Sequence, residues 1–228
     1  MSKIRSMLAA LVAVAAGISM PVNVALADTA GYKQLSSEWW QWALSIPADE
    51  NPLADTTGAN CMVGQRGSNW FLAGTFGDTT VIRTCSIPED ATLFFPVINF
   101  VGFDTPNACG QDSTPLPSQF YRDLAADFID GAINLSVSVD GNSVTQLHRV
   151  QSKVFWVALP EDNLFAAACA PFGGLPAGIY SPAVDDGIYV RLNPLAVGSH
   201  TLQFHAETNQ GFLLDVTYNL IVVPVVQK

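Results

Sequence analysis

The sequence is poor in the residues that make chemistry easy to find. It has 3 His, 4 Cys and 10 Lys plus Arg in 228 residues. No G-x-S-x-G stretch occurs, so the exposed nucleophile elbow of a serine hydrolase is missing, and none of His148, His200 and His205 stands in a pattern that marks a triad. No C-x-x-C pair occurs, and the cysteine spacings are long and unrelated, which argues against a zinc site. With 20 Asp plus Glu and a formal charge of −10, the chain lacks the basic footprint that nucleic acid or anionic lipid demands. There is no internal repeat and no low-complexity linker. After the first segment, no apolar run is long enough to span a bilayer.

What is present begins with an export signal. Lys3 and Arg5 precede an apolar run over residues 7–18, Pro21 interrupts it, and Ala25-Leu26-Ala27 offers small residues where a signal peptidase looks. The pattern predicts a signal peptide over residues 1–27 and a mature chain from Asp28. Losing Lys3 and Arg5 takes the formal charge from −10 to −12. The expected product is an acidic, secreted or periplasmic protein with no membrane anchor after cleavage. Residues 28–228 are expected to form a single domain.

In an exported chain an even number of cysteines predicts disulfides. Three pairings of Cys61, Cys85, Cys109 and Cys169 are open. Cys61–Cys85 with Cys109–Cys169 is preferred, because Cys61 and Cys85 flank one strand pair. Each bridge is worth about 3–4 kcal/mol in chain entropy.

Two helices are predicted. Residues 36–45 carry Trp39, Trp40 and Trp42, with Ser36 or Ser37 as cap and Pro47 as stop. Residues 118–131 are amphipathic: Phe120, Leu124 and Phe128 form one stripe, with Tyr121, Ala125 and Ile129 beside it, Ser118 as cap and Gly131 as stop. Elsewhere the period is two. Strands are expected over 69–75, 79–85, 92–99, 135–139, 144–150, 153–159, 188–192, 200–207 and 212–223, with irregular stretches over 49–67, 103–117 and 160–187. Asp140-Gly141-Asn142 signals a hairpin. Many strands and few helices predict a mainly β fold: an antiparallel β-sandwich, jelly-roll or immunoglobulin-like, with two short helices.

Several stretches resemble a family of small exported bacterial proteins. They are Trp39-Trp40-Gln41-Trp42, the run from Asn51-Pro52 through Cys61 and Gln65 to Trp70-Phe71-Leu72-Ala73-Gly74, and Phe94-Phe95-Pro96. Val150-Gln151-Ser152, residues 182–187, Gly198-Ser199-His200 and Asp215-Val216-Thr217-Tyr218 are similar too. The resemblance implies a bacterial exported protein and carries over no catalytic residue.

Three groups of residues are candidates for a site. His205 and Glu207 would share one face of a strand, with His200 on the other, the nearest approach to a transition-metal set. Asp185-Asp186-Gly187 is expected in an oxygen-rich loop of the kind that holds calcium, and Asp49-Glu50-Asn51 with Asp55 is a second acidic loop. The metal candidates are therefore Asp185, Asp186, His205 and Glu207. Trp39, Trp40, Trp42 and Tyr180, with Trp70, Trp156 and Tyr189, could stack on sugar rings, and three near-adjacent indoles on one helix predict that at least one stays exposed. The reading that follows is a non-enzymatic binding module for a glycan or other small polar ligand. The alternatives are a metal-assisted extracytoplasmic enzyme and a structural or surface-interaction protein. No cofactor is predicted; calcium is the one ion left open.

Overall fold

A computed structural model describes residues 29–77 and 79–225. The expected signal peptide and its cleavage point lie outside the described residues. Among the described residues, alternating apolar residues build ten strands, and three α-helices accompany them. In order these are α1 (Thr29–Ser45), β1 (Asn69–Phe71), β2 (Thr79–Pro88), β3 (Thr92–Phe103), α2 (Ser118–Asp130), β4 (Ala132–Val139), β5 (Asn142–Ser143), β6 (His148–Gln151), β7 (Phe155–Leu159), α3 (Ala166–Cys169), β8 (Gly178–Leu192), β9 (Gly198–Thr208) and β10 (Leu213–Val223).

The strands form two five-stranded sheets. The first runs β1-β3-β8-β6, with β7 also on β8; the second runs β2-β10-β9-β4-β5. Both are mixed, not wholly antiparallel as the sequence suggested: β1 pairs parallel with β3, and β2 parallel with β10. The cause is the path of the chain. After β1 it crosses to start β2 in the other sheet, then returns as β3, so β1 and β3 cannot be hairpin partners.

The first sheet is buried on both faces. Leu93, Phe95, Val97 and Val190 share one apolar cluster with Val81, Phe204, Val216 and Leu220 of the second sheet. On the other face Phe94, Val157, Ala183 and Tyr189 pack against Trp39, Trp40, Ala43 and Leu44 of α1. Double-sided burial explains why β3 reads as a nearly continuous apolar run. It also corrects the long loop expected over residues 160–187. Strand β8 begins at Gly178 and carries Asp185-Asp186-Gly187 in mid-strand, paired with Val101, Phe100 and Asn99 of β3. Pairing along both edges overrides the poor strand propensity of Asp and Gly.

Helix α1 starts seven residues earlier than expected, at Thr29, so Ser36 and Ser37 lie inside it rather than at its cap. Its end is capped from a distance. The buried Asn51 side chain donates to the carbonyls of Ala43 (2.7 Å) and Ile46 (2.9 Å), satisfying groups that a helix terminus leaves bare. Helix α2 buries Tyr121, Ala125 and Ile129, while Phe120 and Leu124 are exposed. The apolar face is thus rotated from the predicted stripe. Residue 117, a proline, precedes the first turn, and Ser118 makes no capping bond. Gly102 of β3 sets the approach of this helix: a Cβ there would lie 2.7 Å from Tyr121 Cβ.

The two disulfides are Cys61–Cys85 and Cys109–Cys169, the pairing preferred from sequence. The first ties the segment before β1 to β2. The second ties the segment after β3 to α3. No helix among the described residues is long and apolar enough to cross a membrane.

Candidate functional site

Strand β3 has one closed edge and one open edge. Along β8 it is paired from Leu93 to Phe103. On the other side β1 covers only Thr92, Leu93 and Phe94, and Leu72 adds one more bond to the Phe94 carbonyl. Beyond Phe94 no strand among the described residues pairs with that edge. Pro96 and a register shift between Pro96 and Ile98 fall just there. Proline is tolerated at edges and bulges, where no ladder donor is needed.

A cavity of about 340 Å³ opens along this edge. It touches Ile98, Asn99, Phe100 and Val101 alike. Successive residues of a strand point to opposite faces, so a space that meets all four wraps the edge itself. One wall is Trp39, Trp40, Leu53 and Phe165; the other is Phe128 of α2 with Phe212, just before β10, and Leu214 within it. Phe76, 58% exposed, stands at its rim. A second cavity of about 230 Å³ shares Phe100, Val101 and Phe165 and continues to Phe103, between Leu124 and Tyr121 on one side and Leu175 with the Cys109–Cys169 bridge on the other. Together they make an apolar groove along Pro96–Phe103, roughly 25 Å long at the usual rise of a strand.

Behind the groove lies a buried polar network. Trp40 gives its ring to the groove wall and its Nε1–H to Asp185 Oδ1 (2.7 Å). Tyr189 donates its hydroxyl to the same oxygen (2.8 Å), and Asn99, a groove residue, donates to the Tyr189 hydroxyl (3.1 Å). The Asp185 amide donates to Ser152 Oγ (2.8 Å). Asp185 Oδ2 is buried without a hydrogen bond among the described residues; the nearby Ser36 hydroxyl donates to the Lys33 carbonyl. Burial pushes the Asp185 carboxyl up to about 7, against the pull of the Trp40, Tyr189 and Ser36 groups, and the charge of Asp186 adds to the rise. Burial, then the Asp185 charge, holds the Tyr189 phenol well above its ordinary value.

Asp186 points the other way and meets opposite chemistry. Arg149 grips it with Nε (3.1 Å) and Nη2 (2.9 Å), and Gln151 adds a bond at 2.9 Å. Arg149 also reaches Asp130 at the end of α2. Its hydrogen bond to Asp186 raises the guanidinium above its ordinary value, against the cost of burial.

The structure distributes the sequence candidates unevenly. Trp39, Trp40 and Trp42 are all buried, with indole N–H groups donating to the Leu72 carbonyl (3.0 Å), Asp185 (2.7 Å) and the Val63 carbonyl (2.9 Å). The exposed indole expected on this helix is therefore not found. Helix α1 is covered on two sides, by the first sheet and by the segment bearing Leu53 and Val63, so one surface need not bury all three rings. The half-exposed indole is Trp156 of β7, at 49%. Tyr180 is partly buried, donates to the Pro176 carbonyl (2.7 Å), and lies 5.9 Å from Phe103 at the groove's end. Trp39 and Trp40 thus reach the groove, while Trp42 does not.

The four metal candidates do not converge. Asp185 and Asp186 sit on opposite faces of the first sheet. His205 and Glu207 share the outer face of the second sheet and pair at 3.1 Å, with Asn134 also on Glu207. His200, as expected from alternation, is elsewhere, paired with Asp140 (2.7 Å). Asp49 and Glu50 are exposed in a single 3-10 turn, and Asp55 accepts bonds from Thr57 and Asn60. Among the described residues no three His, Cys, Asp or Glu side chains are grouped to hold a metal ion.

Sequence reasoning missed Asn99, Phe100 and Phe128 as site residues. One signal was available: Pro96 inside an otherwise strong strand demands an edge or a bulge. No known protein family, no curated protein and no solved structure matches the chain.

Proposed function

We propose that the protein is a non-enzymatic, extracytoplasmic binding module, built as a β-sandwich with α1 as an outer layer, whose ligand lies in the groove along β3. The observation that carries this reading is the open edge of β3, flanked on both faces by aromatic and aliphatic side chains. A cleft of this volume and lining is the usual form of a ligand site. Its apolar walls favour an elongated, largely apolar ligand over the glycan that the tryptophans suggested. The two disulfides support residence in an oxidising compartment.

The enzyme reading draws on one feature, the complete burial that pushes the Asp185 carboxyl up to about 7. Asp185 does not line the groove; it reaches it only through Trp40 and Asn99. A general acid must come within hydrogen-bond distance of its target. The binding reading therefore stands first. Titrating a neutral naphthylamine dye tests it: saturable, one-to-one binding is expected, weakened at least tenfold by Phe76→Asp at the exposed rim. Equal dye binding by wild type and variant would overturn the groove as the site.

A further inference from the structure

We propose that the occupant of this groove is an extended peptide, apolar at alternate positions and flanked by Lys or Arg, which adds as a strand to the open edge of β3. The proposal rests on the groove being the binding site and names its partner.

Two bonds fix which backbone groups face outward. The Phe94 carbonyl accepts from Leu72, so Phe94 is turned to the β1 side. The Asp104 amide donates to the Pro182 carbonyl, so Asp104 is turned to β8. Counting by twos from each anchor, with the extra residue of the bulge between them, turns Pro96, Asn99, Val101 and Phe103 to the open edge. Asn99, Val101 and Phe103 then present an N–H and a C=O every second residue, about 6.8 Å apart. That is the repeat of a polypeptide backbone. An acyl chain or a small aromatic molecule would cover these groups and leave them unsatisfied, at a cost; a peptide strand pairs them. The cavity beside Asn99, bounded by Trp40, Phe128 and Phe212, would take one apolar side chain of that strand.

Charge specifies the flanks. Exposed Asp123 and Asp127 are neighbours of Leu124 and Phe128 on the α2 wall. On the other wall, exposed Asp49 and Glu50 precede Leu53, and exposed Glu161 and Asp162 precede Phe165. Arg122, the one cation of α2, points about half a turn away from Leu124. An apolar floor whose wall residues have exposed acidic neighbours on both sides suits an apolar segment with basic ends.

The test uses the full mature chain and a panel of synthetic nonapeptides, each with two lysines at either end and Val, Leu, Phe or Trp at alternate central positions. Calorimetry measures affinity, and amide hydrogen exchange reports on Asn99, Val101 and Phe103. At least one peptide is expected to bind saturably and to protect those three amides. N-methylation of its alternate amides should weaken it at least tenfold, and the pair Asp123→Lys with Asp127→Lys, both exposed, several-fold. Val101→Pro, which removes an outward N–H, should weaken peptide binding by a larger factor than it weakens dye binding. Dye binding with no peptide binding, or peptide binding indifferent to N-methylation, would overturn strand addition while leaving the groove as the site. Loss of both dye and peptide binding in the wild type would overturn both.

Discussion

The two faces of the first sheet are both covered and chemically unlike. On the inner face, Leu93, Phe95, Val97 and Val190 meet the apolar side chains of the second sheet. On the outer face, the indole N–H groups of Trp39, Trp40 and Trp42, the Tyr189 hydroxyl, the Asp185 carboxyl and the Asn51 amide are buried together with their partners. Apart from Asp186 with its Arg149 and Gln151 partners, the inner face is held by area, which is non-directional and tolerant. The outer face is held by bonds of fixed direction, so displacing one group disturbs the next. Contact at the groove wall would be felt at Trp40 and Asn99, then at Asp185 through them. The sheet thus divides a layer held by area from one held by directional bonds.

A polar group buried between the sheets tests that contrast most severely. The guanidinium of Arg83 is almost fully buried and donates to the carbonyls of Asp55 (2.7 Å), Ala73 (2.7 Å) and Gly74 (3.0 Å) and to the Tyr218 hydroxyl (2.9 Å). It pins the 73–74 segment that forms part of the groove wall. Arg83→Met should cost about 3–5 kcal/mol, because each abandoned buried acceptor carries a desolvation penalty. Urea unfolding measures it. A loss under about 1 kcal/mol would mean the inner face needs no polar anchor.

A pH series sharpens the contrast from the outer side. Asp185 has a folded value raised from 3.8 to about 7. A folded carboxyl that holds its proton more tightly than the unfolded one adds stability below about pH 4, and that contribution is lost as pH rises to about 7. Asp185→Asn removes the titration. The variant should therefore gain on wild type between pH 4 and 7 by up to a few kcal/mol, and the difference should level off above pH 7. Parallel stability curves for the two proteins would sink the assignment. Trp40→Phe tests the same network from its other end. Losing the N–H donor should cost about 1–3 kcal/mol, more at pH 8 than at pH 5, since the bond favours the ionised carboxyl.

Much of the architecture was legible in local pattern. Period two gave most strands, the Asp140-Gly141-Asn142 turn was in place, and the disulfide pairing followed from one argument about Cys61 and Cys85 flanking strands. The site was far less legible. The groove exists because β1 ends at Phe71, and the length of a neighbouring strand is not written in the residues of β3. Asp185 looked like a loop residue because its neighbours Ser181, Pro182 and Gly187 are turn formers; only the partners on both sides of β8 make them a strand. The three tryptophans were legible as important, but their burial depends on two separate segments closing over α1.

Helix α2 is the element whose buried stripe sequence and structure assign differently. From periodicity alone, residues 120, 124 and 128 and residues 121, 125 and 129 are equally good apolar rows, since both repeat every four residues. The choice is made by the close approach at Gly102, which brings Tyr121 and Ala125 onto the sheet and turns Leu124, at 46% exposure, toward the groove and solvent. Ile129→Ala should then cost about 2–4 kcal/mol through lost transfer energy and a cavity, as for any buried aliphatic. Leu124→Ala should cost under about 1 kcal/mol, because little of its surface leaves water on folding. The same Leu124 substitution should weaken peptide binding, since Leu124 lines the far half of the groove. Urea midpoints for the two variants settle the orientation of the helix: if Leu124→Ala proves as costly as Ile129→Ala, α2 is docked on the stripe that periodicity first suggested, and the groove loses that wall.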